Sequence, residues 1–88
     1  AAVPEICRFY GIVIKMFWND HEPPHFHAEY GDDFALIDIR TLAIIDGALP
    51  ARALGLTVEW AAARRDSLMT LWHKARALEP LERLEPLP

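Results

Sequence analysis

Three of the four histidines of this 88-residue chain fall within seven positions, as His21, His25 and His27, and the carboxylates Asp20, Glu22 and Glu29 stand among them. Imidazole and carboxylate are the side chains that move protons near neutral pH and bind borderline divalent cations. Three chemistries are open to such a row. In the first, His25 and His27 lie two apart on a strand, on one face and about 6.5 to 7 Å apart at Cα. His21 then swings back across a turn, and His21, His25 and His27 hold zinc or a similar divalent ion with a coordination position to spare. In the second, the site is metal-free and nuclease-like, with His25 or His27 as general base and Glu29 or Asp20 orienting it. In the third, the histidines are structural. His21 and His25 then bond the free carbonyls of the Pro23-Pro24 turn, and His27 pairs with a carboxylate on a neighbouring strand such as Asp38.

The elements that must position these groups follow from pattern. Arg8 to Trp18 is rich in β-branched and aromatic residues and predicts a first strand. Its Ile12, Ile14, Met16 and Trp18 face the core, and Lys15 marks the opposite side, with Phe17 partly exposed. Asn19 and Asp20 are turn formers, and Pro23-Pro24 forbids both ladder bonds and helix. His25 to Tyr30 alternates, which buries Phe26, Ala28 and Tyr30 and displays His25, His27 and Glu29. Gly31-Asp32-Asp33 predicts a hairpin turn, Phe34 to Ile39 a third strand, and Leu42 to Ile45 a short fourth strand ending at Asp46-Gly47.

From Leu49-Pro50 onward the period changes. Leu49, Ala53, Leu56, Trp60 and Ala63 form one apolar stripe, and Leu68, Leu71, Trp72, Ala75 and Leu78 form a second, with a break near Arg64 to Ser67 where Asp66 can cap a new helix. The expected fold is therefore α+β: a four-stranded antiparallel meander covered on one face by two C-terminal helices or one kinked helix. A single domain is expected, with a lead at 1–7, a sheet at 8–47, a helical region at 49–78 and an extended, proline-containing tail at 79–88.

Composition sets further bounds. Hydrophobic residues make up 52% and charged residues 25% of the chain, which fits a folded domain rather than a disordered one. Residues 1–49 carry three basic against eight acidic side chains, a net −5, and residues 50–88 carry six against five, a net +1. That distribution lacks the clustered basic stripe of a nucleic-acid grip. Cys7 is the one cysteine, so no intrachain disulfide and no Cys-based zinc site can form, and a reduced cytoplasmic setting is expected. No apolar run approaches the roughly twenty residues of a membrane span.

Candidate binding residues are Tyr10, Asp20, Arg64 and Arg65. The aromatics Tyr10, Phe17, Trp18, Phe26 and Tyr30 can stack bases from a sheet face, or else serve as core and rim. Arg64 and Arg65 can meet phosphate or a partner's carboxylates, or simply be solvated. His73, Trp60 and Trp72 read as surface, packing and packing.

The stretches Arg8-Phe9-Tyr10-Gly11-Ile12-Val13-Ile14, Asn19-Asp20-His21 with Pro23-Pro24-His25-Phe26-His27-Ala28, Ala35-Leu36-Ile37-Asp38-Ile39 and Glu59-Trp60-Ala61 resemble the "domain of unknown function 4160" family of small prokaryotic proteins. The resemblance runs from about Glu5 to Ala77, and Pro-Pro-His-Phe-His is its most specific part. Members of that family are often encoded beside another small protein, as toxin-antitoxin pairs are. The resemblance therefore implies a protein partner, and the small size of the chain adds a homodimer to the expectation.

Overall fold

A computed structural model of the chain describes residues 4–88, so residues 1–3 of the expected lead lie outside the described residues. It contains five strands and two helices: β1 (Glu5–Phe9), β2 (Ile12–Lys15), β3 (His25–Tyr30), β4 (Asp33–Asp38), β5 (Ile44–Ala48), α1 (Ala51–Ala62) and α2 (Arg65–Arg76). The strands form one antiparallel sheet in the order β1-β2-β3-β4-β5. The architecture is the expected meander with two C-terminal helices, but it has five strands rather than four.

The extra strand comes from Tyr10-Gly11. Both residues have positive φ, 49° and 80°, as a two-residue primed hairpin turn requires. The run expected to be one strand from Arg8 to Trp18 therefore folds back on itself, pairing Phe9 with Ile12 and Arg8 with Val13. A single glycine among Phe, Tyr, Ile and Val reads as a strand interior, which hides the turn. The register slips between Glu5 and Cys7, and this bulge lets the adjacent Ile6 and Cys7 both face inward, at 0% and 1% exposure.

A second boundary also shifts. Asp46-Gly47 is not a turn but the middle of β5, opposite Leu36 and Ala35. Gly47 has φ 79°, and a Cβ there would stand 2.2 Å from the Phe34 carbonyl oxygen, so the strands approach too closely for any other residue. The helical region does divide in two: α1 ends at Ala62 and α2 begins at Arg65. Asp66 lies inside the first turn of α2, where its charge suits the positive end of the helix dipole, while Arg64 occupies the cap position.

One sheet face and both helices close the core. Ile12, Ile14, Met16, Phe26, Ala28, Ala35, Ile37 and Ile39 from the sheet side meet Ala53, Trp60 and Ala61 of α1 and Leu68, Leu71, Trp72 and Ala75 of α2. Trp60 is fully buried, and its ring lies 5.5 Å from Phe9 and 5.9 Å from Phe26 between centroids. Each aliphatic or Phe side chain buried this way stabilises the fold by about 1.5–3 kcal/mol relative to exposure. Thr57 is also buried, and its hydroxyl donates to the Ala53 carbonyl at 2.8 Å, so it leaves no unmet polar group.

Two residues expected on the buried sheet face are not core, and Ala63 and Leu78 of the expected helix stripes are exposed as well. Tyr30 is 40% and Trp18 37% exposed, because β2 ends at Lys15 and Tyr30 is the last residue of its strand beside the Gly31 turn. The indole Nε1 of Trp18 instead donates to the Glu79 carbonyl at 2.8 Å. Beyond α2, residues 79–88 have no regular secondary structure and run alongside β1, where the Leu84 N–H donates to the Ile6 carbonyl at 2.8 Å.

Candidate functional site

The loop between β2 and β3 is held at both ends by main-chain bonds. The Asn19 N–H donates to Ala75 of α2, and the Ile39 N–H donates to the Pro24 carbonyl, each at 3.0 Å. An exposed Arg76–Glu22 contact at 3.1 Å adds a further tie. With Pro23 and Pro24 turning the chain between these anchors, Asp20 is brought over the first residues of β3.

There its Oδ2 lies 3.0 Å from Nε2 of His25 and 3.3 Å from Nε2 of His27. One ligand atom from each of Asp20, His25 and His27 falls within 4.8 Å of the others. Its second oxygen, Oδ1, accepts the His21 backbone N–H at 2.9 Å. Burial pushes the Asp20 carboxyl up, but the His21 N–H, the His27 bond and the two imidazoles outweigh it and hold the acid below its usual range. For His27, burial dominates over the bond to Asp20, so its pKa falls and the ring is neutral at neutral pH.

The orientation of His25 is fixed by the backbone. Its Nδ1 is 2.7 Å from the Pro23 carbonyl oxygen. A carbonyl can only accept, so Nδ1 carries the proton and donates it. Nε2 then offers its lone pair toward Asp20 and His27, or carries a second proton shared with the carboxylate. His25 is 2% exposed. It was expected on the displayed face, but the loop and Trp72, with ring centroids 5.3 Å apart, cover it. Phe17 and His27 pack nearly perpendicular at 4.6 Å between centroids, leaving the His27 ring half-buried.

The remaining candidates lie elsewhere. The side chain of His21 is 84% exposed, with Nδ1 2.9 Å from Asp20 Oδ1, outside the converging trio. Glu29 shares a face with His27 but forms an ion pair with Lys15 at 3.0 Å. Asp38 does not pair with His27, because its carboxylate accepts from the Arg40 and Thr41 N–H groups at 2.7 and 3.1 Å and shapes the turn after β4. Tyr10 stands at the far end of the β2–β3 pair. Its hydroxyl donates to the Pro88 carbonyl at 2.6 Å, and with Tyr30, Arg52 and Leu56 it borders a cavity of about 240 Å³. Arg64 donates to the Trp60 and Pro86 carbonyls, while Arg65 is exposed at the start of α2.

The structure thus brings together two of the three expected metal ligands, His25 and His27, and adds Asp20, which sequence reasoning placed only in an orienting and binding role. The signal available in sequence was the reversal at Pro23-Pro24, which carries a residue five before His25 back to it. The orienting role of the Pro23 carbonyl left no trace in residue type.

Converging imidazoles and a carboxylate at the end of a five-stranded meander define an α+β protein with one candidate ion or proton-transfer centre among the described residues. The family model described as "Domain of unknown function (DUF4160)" matches residues 11–73, well over half of the chain, and the protein belongs to that family. The match takes in Asp20, His25 and His27 and leaves out β1 and residues 79–88. Comparison with curated proteins and with solved structures returned no match. None of the helices among the described residues is long and apolar enough to cross a membrane.

Proposed function

We propose that the protein binds a divalent cation of the zinc type through Asp20 Oδ2, His25 Nε2 and His27 Nε2. The observation that carries this reading is the 2.7 Å bond from His25 Nδ1–H to the Pro23 carbonyl. A backbone carbonyl on one ring nitrogen fixes the tautomer and leaves the other nitrogen's lone pair aimed at the metal, as orienting partners of metal-ligating histidines do. Two of the three spacings fit as they stand. Ligands held about 2.0–2.2 Å from a tetrahedral ion lie about 3.3 Å from one another, close to the 3.0 and 3.3 Å seen from Asp20 Oδ2, while the His25–His27 pair, within 4.8 Å, would close onto the ion as it binds. Three protein ligands leave a fourth position, the arrangement of a reactive rather than a purely structural zinc site. Bound there, the ion would act as a Lewis acid. Trp72 and Phe17 pack against His25 and His27, and His21 stands at the exposed rim.

Elemental analysis and zinc titration of the purified chain test this. About one ion per chain is expected, and His27→Ala should weaken binding at least tenfold. A wild-type chain that stays metal-free when zinc is supplied would end the reading. Metal-free nuclease chemistry at the same residues is less well supported, because the cations bordering the site, Lys15 and Arg76, are already paired with Glu29 and Glu22.

A second reading, a component of a toxin-antitoxin-like two-protein module, is favoured by β5. All five of its residues are exposed, Ile44 and Ile45 at 38% and 44%, beside Phe34 at 48%. Co-expression with the neighbouring gene product should yield a stable complex, and two proteins that purify separately would count against it.

A further inference from the structure

Residues 79–88 are exposed except at Leu81, Leu84 and Leu87, which are half-buried against the core. One residue in three facing inward is the period of a polyproline II helix, and Pro80, Pro86 and Pro88 suit that conformation. The segment's carbonyls are bonded by side chains rather than by a strand. The indole N–H of Trp18 donates to Glu79 and that of Trp60 to Glu85, both at 2.8 Å. Arg64 donates to Pro86 at 3.2 Å and the Tyr10 hydroxyl to Pro88 at 2.6 Å. Aromatic donors on carbonyls along the segment, with apolar side chains seated at every third position, are how grooves recognise polyproline II ligands. Trp18, Trp60 and Arg64 fall within the family match at 11–73, and the segment they hold falls outside it.

We infer that this groove is a peptide-recognition surface for leucine- and proline-bearing polyproline II segments, filled in cis by residues 79–88 and able to take the same segment from a second copy of the chain. The second copy is the occupant argued for because it carries the matching ligand by construction, and because the connection to the segment is strained. Leu78, 68% exposed, sits between α2 and the segment at φ 60°, a region that disfavours leucine. A short strained hinge favours exchange between copies. The inference uses none of the metal-site residues and stands or falls apart from that reading.

Two measurements test it on the full chain. Leu78→Pro cannot adopt positive φ, so the variant should be dimeric by light scattering at micromolar concentration, while Leu78→Gly, which relieves the turn, should be monomeric. A fluorescein-labelled peptide of residues 79–88 should bind a Leu81→Asp/Leu84→Asp/Leu87→Asp variant at least tenfold more tightly than wild type, whose own segment competes. Adding Tyr10→Phe and Arg64→Gln should weaken that binding again. A folded triple variant, by circular dichroism, that does not take up the peptide would overturn the recognition surface. If the triple variant fails to fold, saturable binding of the peptide to Leu78→Gly and Leu78→Pro is compared instead, and absence of binding to both overturns it equally. Peptide binding together with a monomeric Leu78→Pro would overturn the second copy as occupant and assign the groove to a segment of another protein.

Discussion

Along β1 the sheet edge is covered by the chain's own tail: Leu84 bonds Ile6, Arg83 reaches Glu5 at 3.0 Å, and Leu81, Leu84 and Leu87 pack on the core. Along β5 nothing among the described residues covers the edge, and every residue of the strand is exposed. Uncovered edges invite pairing with other chains, and proteins blunt them with short strands, bulges and charges. β5 has two of these devices, a register slip opposite Leu36/Ile37 and Asp46 at its centre. One edge is therefore stabilised by burial and the other only made awkward to extend. Stability should concentrate at β1, and pairing with a different protein at β5.

The largest effect should come where the covered edge joins the core. Trp60→Ala removes a fully buried ring that packs on Phe9 and Phe26 and holds Glu85, so a loss of about 3–5 kcal/mol is expected in urea unfolding. Ile45→Ala, at the open edge, should cost under about 1 kcal/mol, since the side chain is already 44% exposed. Comparable losses in the two variants would break the contrast.

The loop between the edges is held by neither. Its order depends on main-chain anchors and on Asp20, whose Oδ1 accepts the His21 N–H and whose Oδ2 meets both imidazoles, so Asp20→Ala should abolish the zinc uptake proposed above and loosen the loop. A stability loss of about 1–3 kcal/mol follows. Zinc titration and denaturation of the same sample check both effects, and an unchanged zinc affinity would remove Asp20 from the site.

Much of this could be read in the sequence where period and punctuation agree. The strand from His25 to Tyr30, the Gly31-Asp32 hairpin and the break between helices were legible because each has its own residue signature, although His25 and Tyr30 at the strand's ends depart from the expected alternation. The Tyr10-Gly11 turn was not, since Tyr10 at positive φ has no such signature and the flanking residues all favour strand. Gly47 misled for the reverse reason, because its glycine serves close strand approach, not reversal. At the site, the pairing of His25 with His27 followed from a period of two. The recruitment of Asp20 in place of His21 depended on how the proline turn folds, and the burial of His25 depended on Trp72, 47 positions along the chain. The tail read as extended, but which edge it covers is a tertiary fact.

Acid also acts on the covered edge. Bonds from Arg8 and Arg83 bring the Glu5 carboxyl from 4.5 down to about 2. A folded-state pKa below the unfolded one contributes stability that is present above about pH 4.5 and is lost as pH falls toward 2. Glu5→Gln should therefore lower Tm modestly at pH 6 and leave it unchanged near pH 2, with the wild type converging on the variant as it is acidified. A constant difference across that range would show that Arg83 does not use Glu5 to pin the tail.

The smallest stability effect and the most selective one should come from Ile45→Lys. Lysine on an exposed edge strand costs little, within about 0.5 kcal/mol, because the side chain meets solvent rather than core. The same charge beside Ile44 and Phe34, which are 38% and 48% exposed, opposes any chain that would add to β5 or cover the apolar side chains around it. The variant should fold with wild-type Tm yet, on the two-protein reading proposed above, fail to copurify with the neighbouring gene product, while Arg83→Ala, at the covered edge, should retain the complex. Loss of the complex in Arg83→Ala but not in Ile45→Lys would move the association surface from the open edge to the one the tail now covers.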